Sequence, residues 1–429
     1  MSELPAGWVE ATIHDVCEVI LGQSPPGSAY NRDGMGLPFF QGKAEFGPLI
    51  PATRKWTTEG NKRAREGDVL VSVRAPVGPT NLAPFECVIG RGLAALRPTD
   101  ATTSRFVLYQ MRATEESLAS VATGSTFTAV AGDQIRRHPF LVPPPAEQER
   151  IIAAIEEQLS RVDAAERSLQ SARQRLHQLR PRVIDAATDG YPMRALGELL
   201  REPLRNGHSA KRSPGGKIPV FTLTAVTARD FSDRNMKLTD ADPHRVEDLW
   251  VESGDILIER SNTPELVGSA ALYSGPSKRA IFPDLLIRVR MGSAMLPEYA
   301  ELGLRSTRLR RYFQRAAKGI AGSMPKIDQG AILAAELPLP PKEAQHRIVA
   351  DVSRELTILD SLMTAIDHAL KRSDRLRRAI LESAFSGKLA PQDPSEEPAS
   401  LLLKRIENER RDLATPGRAR RRRVGTVKS

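Results

Sequence analysis

Val142-Pro143-Pro144-Pro145-Ala146-Glu147-Gln148-Glu149-Arg150-Ile151 returns 197 positions later as Leu339-Pro340-Pro341-Lys342-Glu343-Ala344-Gln345-His346-Arg347-Ile348. The register then holds without a slip. Leu159 answers to Leu356, Asp163 to Asp360, Leu179-Arg180 to Leu376-Arg377, Ala187 to Ala384 and Gly190 to Gly387. A constant offset over this stretch means that no insertion was tolerated in it. Upstream the correspondence loosens: Gly67-Asp68-Val69-Leu70 matches Gly254-Asp255-Ile256-Leu257 at an offset of 187, and Gly124-Ser125 matches Gly322-Ser323 at 198. A variable globular segment followed by a rigid one, twice, is a two-unit array, since a solenoid needs at least ~3 repeats to bury a core.

The rigid segments read as long helices. In the second, Val349, Val352, Leu356, Leu359, Met363, Ile366, Leu370 and Ile380 alternate steps of three and four, which is a heptad seam. In the first, Ile152, Ile155, Leu159, Val162, Leu169 and Leu176 keep the step, while Glu166 and Arg173 interrupt it. Proline runs open each segment, and Gly190 and Gly387 stand where helices stop. About 40 residues at ~1.5 Å each predict helices of roughly 60 Å. The simplest arrangement pairs them antiparallel, because a whole globular segment lets the second return along the first. The alternative is that each packs on its own domain as a core helix.

The expected boundaries follow: a globular domain at 1–141, a helical region at 142–190, a second domain at 191–338, a second helical region at 339–389, and a basic, disordered tail at 390–429. The globular parts alternate turn formers with short β-type runs such as Val69-Leu70-Val71-Ser72-Val73 and Leu285-Leu286-Ile287-Arg288-Val289. Each carries one clear helix, around Ser104 to Val121 and around Pro297 to Lys318. The fold class is α+β, with a pseudo-twofold internal repeat.

With 429 residues, 40% hydrophobic and 27% charged, the chain has the composition of ordinary globular domains. No apolar run approaches the ~20 residues of a membrane helix, and Met1-Ser2-Glu3-Leu4-Pro5 lacks a secretory pattern, so a cytoplasmic location and no membrane partner are expected. The two cysteines, Cys17 and Cys87, have no paired spacing. The net charge of +10 suggests a polyanionic partner, but six basic residues, Arg418, Arg420, Arg421, Arg422, Arg423 and Lys428, follow the last acid, Asp412. The folded body is only mildly basic.

The sequence carries no recognisable catalytic motif. Gly215-Gly216-Lys217 lacks the spacing and hydroxyl of a phosphate-binding loop, and the seven histidines show neither a His-Glu-x-x-His pair nor metal spacing. No cofactor loop of a DNA amino-methyltransferase appears. Neither catalytic residue, metal nor cofactor is expected, and the chain reads as a binder.

Arg74 and Arg260 both follow a Gly-Asp strand. A small-residue loop precedes each helical region: Gly124, Ser125 and Thr126 in the first, and the stretch from Lys318 through Ser323 to Lys326 in the second. Backbone amides and hydroxyls in such loops suit phosphate oxygens, and guanidinium forks suit phosphates or guanine edges. Further cationic candidates are Lys43, Arg54, Lys55, Arg63 and Arg91 in the first domain, and Lys211, Arg212 and Arg229 in the second. For any one of them a solvated surface charge is the competing reading.

The chain resembles the specificity subunits of Type I restriction-modification systems over nearly its whole length. The resemblance rests on Gly124-Ser125-Thr126 leading to the Pro143-Pro144-Pro145 helix start, and on the ending Ala384-Phe385-Ser386-Gly387-Lys388-Leu389. The first copy departs from that ending with Ala186-Ala187-Thr188-Asp189-Gly190, and Met324-Pro325 replaces a threonine in the second loop. The resemblance implies two target-recognition domains separated by two long antiparallel coiled-coil helices. Each domain would read half of an asymmetric bipartite site in double-stranded DNA, with the helices setting the spacer. Two methylation subunits would dock on the helices and two restriction subunits could join them. S-adenosylmethionine and ATP would be bound by those partners, leaving this chain without cofactor or catalysis. A coiled-coil scaffold holding two ligand-binding domains for protein partners is the alternative.

Overall fold

The computed structural model describes residues 4–122, 129–319 and 324–414. The chain divides into two compact units: one takes the residues up to Arg167 and those from Leu370 onward, the other Ser168–Ala369. Each unit therefore contains one globular domain and part of each long helix.

Both repeated segments are single helices of 44 residues, Pro145–Thr188 and Lys342–Phe385. Each begins in the same way. Buried Gln148 donates its Nε2 to the carbonyls of Ala101 (3.0 Å) and Pro143 (3.1 Å). Its repeat mate Gln345, also buried, donates to Ala294 (3.0 Å) and Pro340 (2.9 Å). Each glutamine thus ties a carbonyl of the proline-rich approach, Pro143 or Pro340, to a carbonyl of its own globular domain. The helices end at Thr188 and Phe385, and Gly190 (φ 82°) and Gly387 (φ 72°) take the left-handed conformation that a side chain would resist.

Within each unit the two helices run antiparallel. In the second, Arg173 faces Asp367 (3.5 Å) and Arg180 pairs with Asp360. In the first, Arg377 bridges Asp163 and Glu166, the latter at 2.8 Å. The charges that interrupt the heptad seam, Glu166 and Arg173, are thus ion-paired to the opposite helix. Ile155, Val162, Val352, Leu356, Leu359, Ile366 and Ile380 of the seam are buried, and Ile152, Leu159, Leu169, Leu176, Val349, Met363 and Leu370 are half-buried.

The two domains share a four-stranded antiparallel sheet with the same strand order. In the first it runs Cys17–Leu21, Leu93–Pro98, Val69–Ser72, Thr80–Leu82; in the second Arg205–Asn206, Leu286–Val289, Ile256–Glu259, Ala270–Leu272. The shared Gly-Asp sequence is structural in both. Gly67 (φ 83°) and Gly254 (φ 95°) make the turn, and the buried carboxylates of Asp68 and Asp255 hold arginines of a neighbouring strand and its exit, Arg97 (2.8 Å) and Arg290 (2.6 Å). The first domain adds a five-stranded sheet in which Leu37–Phe40 pairs parallel with Cys87–Ile89.

Two expectations need correction. Each domain helix is two helices: Ser104–Ala113 then Glu115–Ser120, and Pro297–Arg305 then Thr307–Ala316. Ser306 caps the last, its Oγ accepting from the Leu309 amide. The segment from 390 is not uniformly a disordered tail, because Ala399–Ala414 is a helix. Ala399 and Ile406 are buried in the core of the first unit, with Leu402 and Leu403 packed against it. Its charge masked an apolar stripe. The strongly basic residues 418–428 lie outside the described residues.

Candidate nucleic-acid interface

In the first domain the strand Leu37–Phe40 delivers Gln41 and the turn Lys43–Glu45 to one side of an open groove. Lys55, Arg74 and Arg91 come to it from separate parts of the chain. The groove has a volume of about 690 Å³, and among the described residues its only acidic lining residue is Glu45. Close backbone packing builds the wall: the Gly90 amide donates to the Phe40 carbonyl (2.8 Å) and the Val73 amide to the Gly92 carbonyl (2.9 Å). A Cβ on Gly92 would stand 2.2 Å from the Gln41 carbonyl oxygen, so only glycine fits there.

The polar groups in the groove are mostly donors. Lys55 Nζ donates to Gln41 Oε1 (3.1 Å), which leaves the Gln41 amide NH2 to point at other acceptors. Glu45 Oε2 is engaged by the Gly42 amide (3.1 Å), and Ser24 Oγ accepts from the Arg91 amide (3.3 Å). Lys43, Arg74 and Arg91 are exposed. Such a surface suits an anion with many acceptor oxygens. Gln41 and Ser24 were not singled out from the sequence, because nothing local marks a neutral side chain as facing a groove that distant segments build.

Of the other first-domain candidates, Arg63 pairs with Glu86 (3.1 Å) in a different surface hollow, and Arg54 is exposed but outside the groove lining. Gly124, Ser125 and Thr126 lie outside the described residues, as does Ser323. The chain leaving the first loop is placed, however: Ala129 bridges Arg74, and the Val130 amide donates to the Val73 carbonyl (3.0 Å).

The second domain repeats this relationship. Lys326, just past the second loop, bridges both Lys318 and Ser261, and the Ile327 amide donates to the Arg260 carbonyl (2.9 Å). Arg260, Lys318 and Lys326 are thereby gathered at one place, with Lys318 3.7 Å from Asp328. Lys211 and Arg212 are exposed on another part of the domain, where Arg212 bridges Thr239. Arg229 must be withdrawn from the interface: its side chain is ion-paired to the buried Glu301. A positive backbone φ (55°) turns it that way, which a reading of charge alone could not foresee.

Beside Arg260 stands a fully buried carboxyl, Glu259. Burial drives its pKa up to about 7, against the hydrogen bond from Asn262 Nδ2 (2.8 Å) that favours the anion. Burial likewise pushes the Cys87 thiol up to about 12, which makes it a poor nucleophile. Among the described residues no cluster of histidine, cysteine and carboxylate side chains could hold a metal ion, and no helix is long and apolar enough to cross a membrane.

Comparison with known proteins agrees with this architecture. Residues 5–171 match the family model of the Type I restriction modification DNA specificity domain. The Escherichia coli K12 Type I restriction enzyme EcoKI specificity subunit is 25% identical, over 95% of this chain and 96% of its own length. The chain is thus similar to Type I specificity subunits, with the family model matching its first domain and the start of its first long helix. The putative MjaX specificity subunit of Methanocaldococcus jannaschii is 38% identical, but the match spans only 35% of this chain and 36% of that protein. Among solved structures, the HsdS subunit from Thermoanaerobacter tengcongensis has a TM-score of 0.56 at 21% identity, covering 90% of this chain and 98% of that one. A chain from work on complex assembly and conformational transition of the type I R-M system reaches a TM-score of 0.72 at 20% identity, covering 90% and 100%. These likenesses support the fold of a specificity subunit: mixed helix and sheet with two domains and long paired helices.

Proposed function

We propose that this specificity subunit reads a bipartite, asymmetric site in double-stranded DNA, one half with each domain, and positions methylation and restriction subunits that carry the chemistry. The observation that carries the reading is that in both domains the chain leaving a Gly-Ser loop bridges a strand end, at Arg74 in the first and at Ser261, next to Arg260, in the second. In the first domain that arginine opens onto the donor-lined groove with Lys43, Lys55 and Arg91. Phosphate contacts from such cations position a domain on the duplex, and neighbouring donors such as the Gln41 amide read base edges.

The two domains differ in what lines these places, so the half-sites differ. The paired helices hold the two readings at a fixed separation, and their exposed apolar positions Leu179, Ile358, Leu362 and Leu376 offer docking points for the methylation subunits. S-adenosylmethionine and ATP belong to those partners in this reading, and the chain acts without a cofactor of its own.

The test is a methylation assay. The purified chain with S-adenosylmethionine and DNA should transfer no methyl group, and addition of the methylation subunits should produce methylation at one defined sequence. Transfer by the chain alone would overturn the proposal.

A further inference from the structure

The strands Val69–Ser72 and Ile256–Glu259 hold the same place in the two domain sheets, and their registers fix which residues correspond. Val69 lies opposite Leu96 and Leu82, and Ile256 lies opposite Val289 and Leu272. Counting onward from there, Ser72 corresponds to Glu259, Val73 to Arg260 and Arg74 to Ser261. The chain returning from the loop agrees with this count. The Val130 amide donates to the Val73 carbonyl (3.0 Å) as the Ile327 amide does to the Arg260 carbonyl (2.9 Å), so Ala129, bridged to Arg74, corresponds to Lys326, bridged to Ser261.

The cation therefore stands on different strands in the two domains. In the first, the bridge pairs a sheet-strand arginine with an alanine; in the second, it pairs a sheet-strand serine with a lysine. Residues directly opposite in an antiparallel pair project their side chains to the same face, and in a non-hydrogen-bonded pair such as these their Cα atoms are only about 4.5 Å apart. Lys326 thus carries its charge on the face where Arg74 carries it. Ser261 is fully buried, whereas Lys326 is exposed, as Arg74 is. Arg260 adds to the local charge but takes the position of Val73.

A second lysine shares the face. Lys318 exchanges both backbone hydrogen bonds with Lys326 (2.9 Å each), which sets the two side chains beside each other. Like charges directly opposite repel, so the pair favours a neighbouring anion. Asp328, 3.7 Å from Lys318, serves one of the two. Lys326 has no ion pair among the described residues.

We propose that Lys326 holds in the second domain the kind of backbone-phosphate contact that Arg74 makes in the first, with the cation on the loop-exit strand in place of the sheet strand. The inference rests on the DNA-reading function proposed above. An ammonium is a point charge and a guanidinium a flat fork, so this exchange keeps a phosphate contact but would lose a bidentate contact to a guanine edge. At this point the second domain is anchored to the duplex, and its half-site sequence is left to other groups.

The test is a salt titration of DNA binding by the assembled methyltransferase, with its methylome read in parallel. Lys326→Ala should lower the slope of log affinity against log salt by about 0.9, the value of one phosphate contact, at unchanged half-site sequences, and Lys326→Arg should keep the wild-type slope. The exchange is then made in the first domain. Arg74→Ala should lose the same slope, and Arg74→Ala combined with Ala129→Lys should recover it, because Ala129 stands where Lys326 does. An unchanged slope in Lys326→Ala overturns the assignment, and so does a weaker affinity at unchanged slope, which a merely structural role at the base of the loop would give. Altered half-site bases, or failure of Ala129→Lys to recover the slope, overturns it as well. Absence of sequence-specific binding by the wild-type complex would instead overturn the function on which the inference rests.

Discussion

Arg377 ion-pairs with Asp163 on the opposite helix, and their repeat mates Arg180 and Asp360 form the same pair in the other unit. The repeat is therefore a repeat of contacts as well as of letters. It explains why the offset of 197 holds so strictly: a one-residue insertion would rotate every later side chain by about 100° and break the pairs together with the seam. The two copies are not energetically alike. Arg377 also takes Glu166, whose side chain is 21% exposed, whereas Asp360 is 57% exposed.

Arg377→Met should accordingly cost about 1–2 kcal/mol, since it leaves two partly buried carboxylates facing each other without a cation. Arg180→Met should cost less than about 1 kcal/mol, because Asp360 stays hydrated. Urea unfolding of the two variants checks the order.

Arg74→Ala and Arg91→Ala should weaken DNA binding by the assembled complex, and each should lower the slope of log affinity against log salt by about 0.9 if the lost contact is a phosphate. Arg260→Ala should act likewise in the second domain. Arg63→Ala, at a side chain paired with Glu86 outside the groove, should leave both quantities unchanged.

Ile358 and Leu362, one helical turn apart, are 53% and 46% exposed. The double change to Glu should alter the stability of the isolated chain by no more than about 0.5 kcal/mol. If these residues receive a methylation subunit, the same change should abolish its co-purification. Retained co-purification would place the docking surface elsewhere.

The buried carboxyl of Glu259 gives a pH dependence of defined sign. Its folded pKa of about 7 lies above that of an unfolded glutamate, so the folded state holds the proton more tightly. The resulting stabilisation is fully present below the unfolded value and is lost as pH rises through about 7. It amounts to about 3 kcal/mol. Glu259→Gln, which cannot ionise, should flatten that part of the stability profile between pH 4.5 and 7.5 in thermal unfolding.

The long helices were legible in the sequence because their information is local and repeated: heptad steps, proline starts and glycine stops. The groove was not. Lys43, Lys55, Arg74 and Arg91 could each be named as cations, but their meeting depends on the parallel pairing of Leu37–Phe40 with Cys87–Ile89, which no local pattern encodes. Arg229 was misread for the same reason. Its partner Glu301 is 72 residues away, and a charged side chain in a loop gives no sign of whether it faces solvent or a buried anion. In the helix Ala399–Ala414 the apolar spacing was present, but the charges around it dominated the reading.

The central claim is that the repeated helices set the distance between two half-sites that the divergent domains read. It is tested most directly by inserting four residues, about one turn or ~6 Å, into both long helices and sequencing the methylome. The account predicts unchanged half-sites and a spacer longer by roughly two base pairs at ~3.4 Å each. An unchanged spacer with altered half-sites would contradict it.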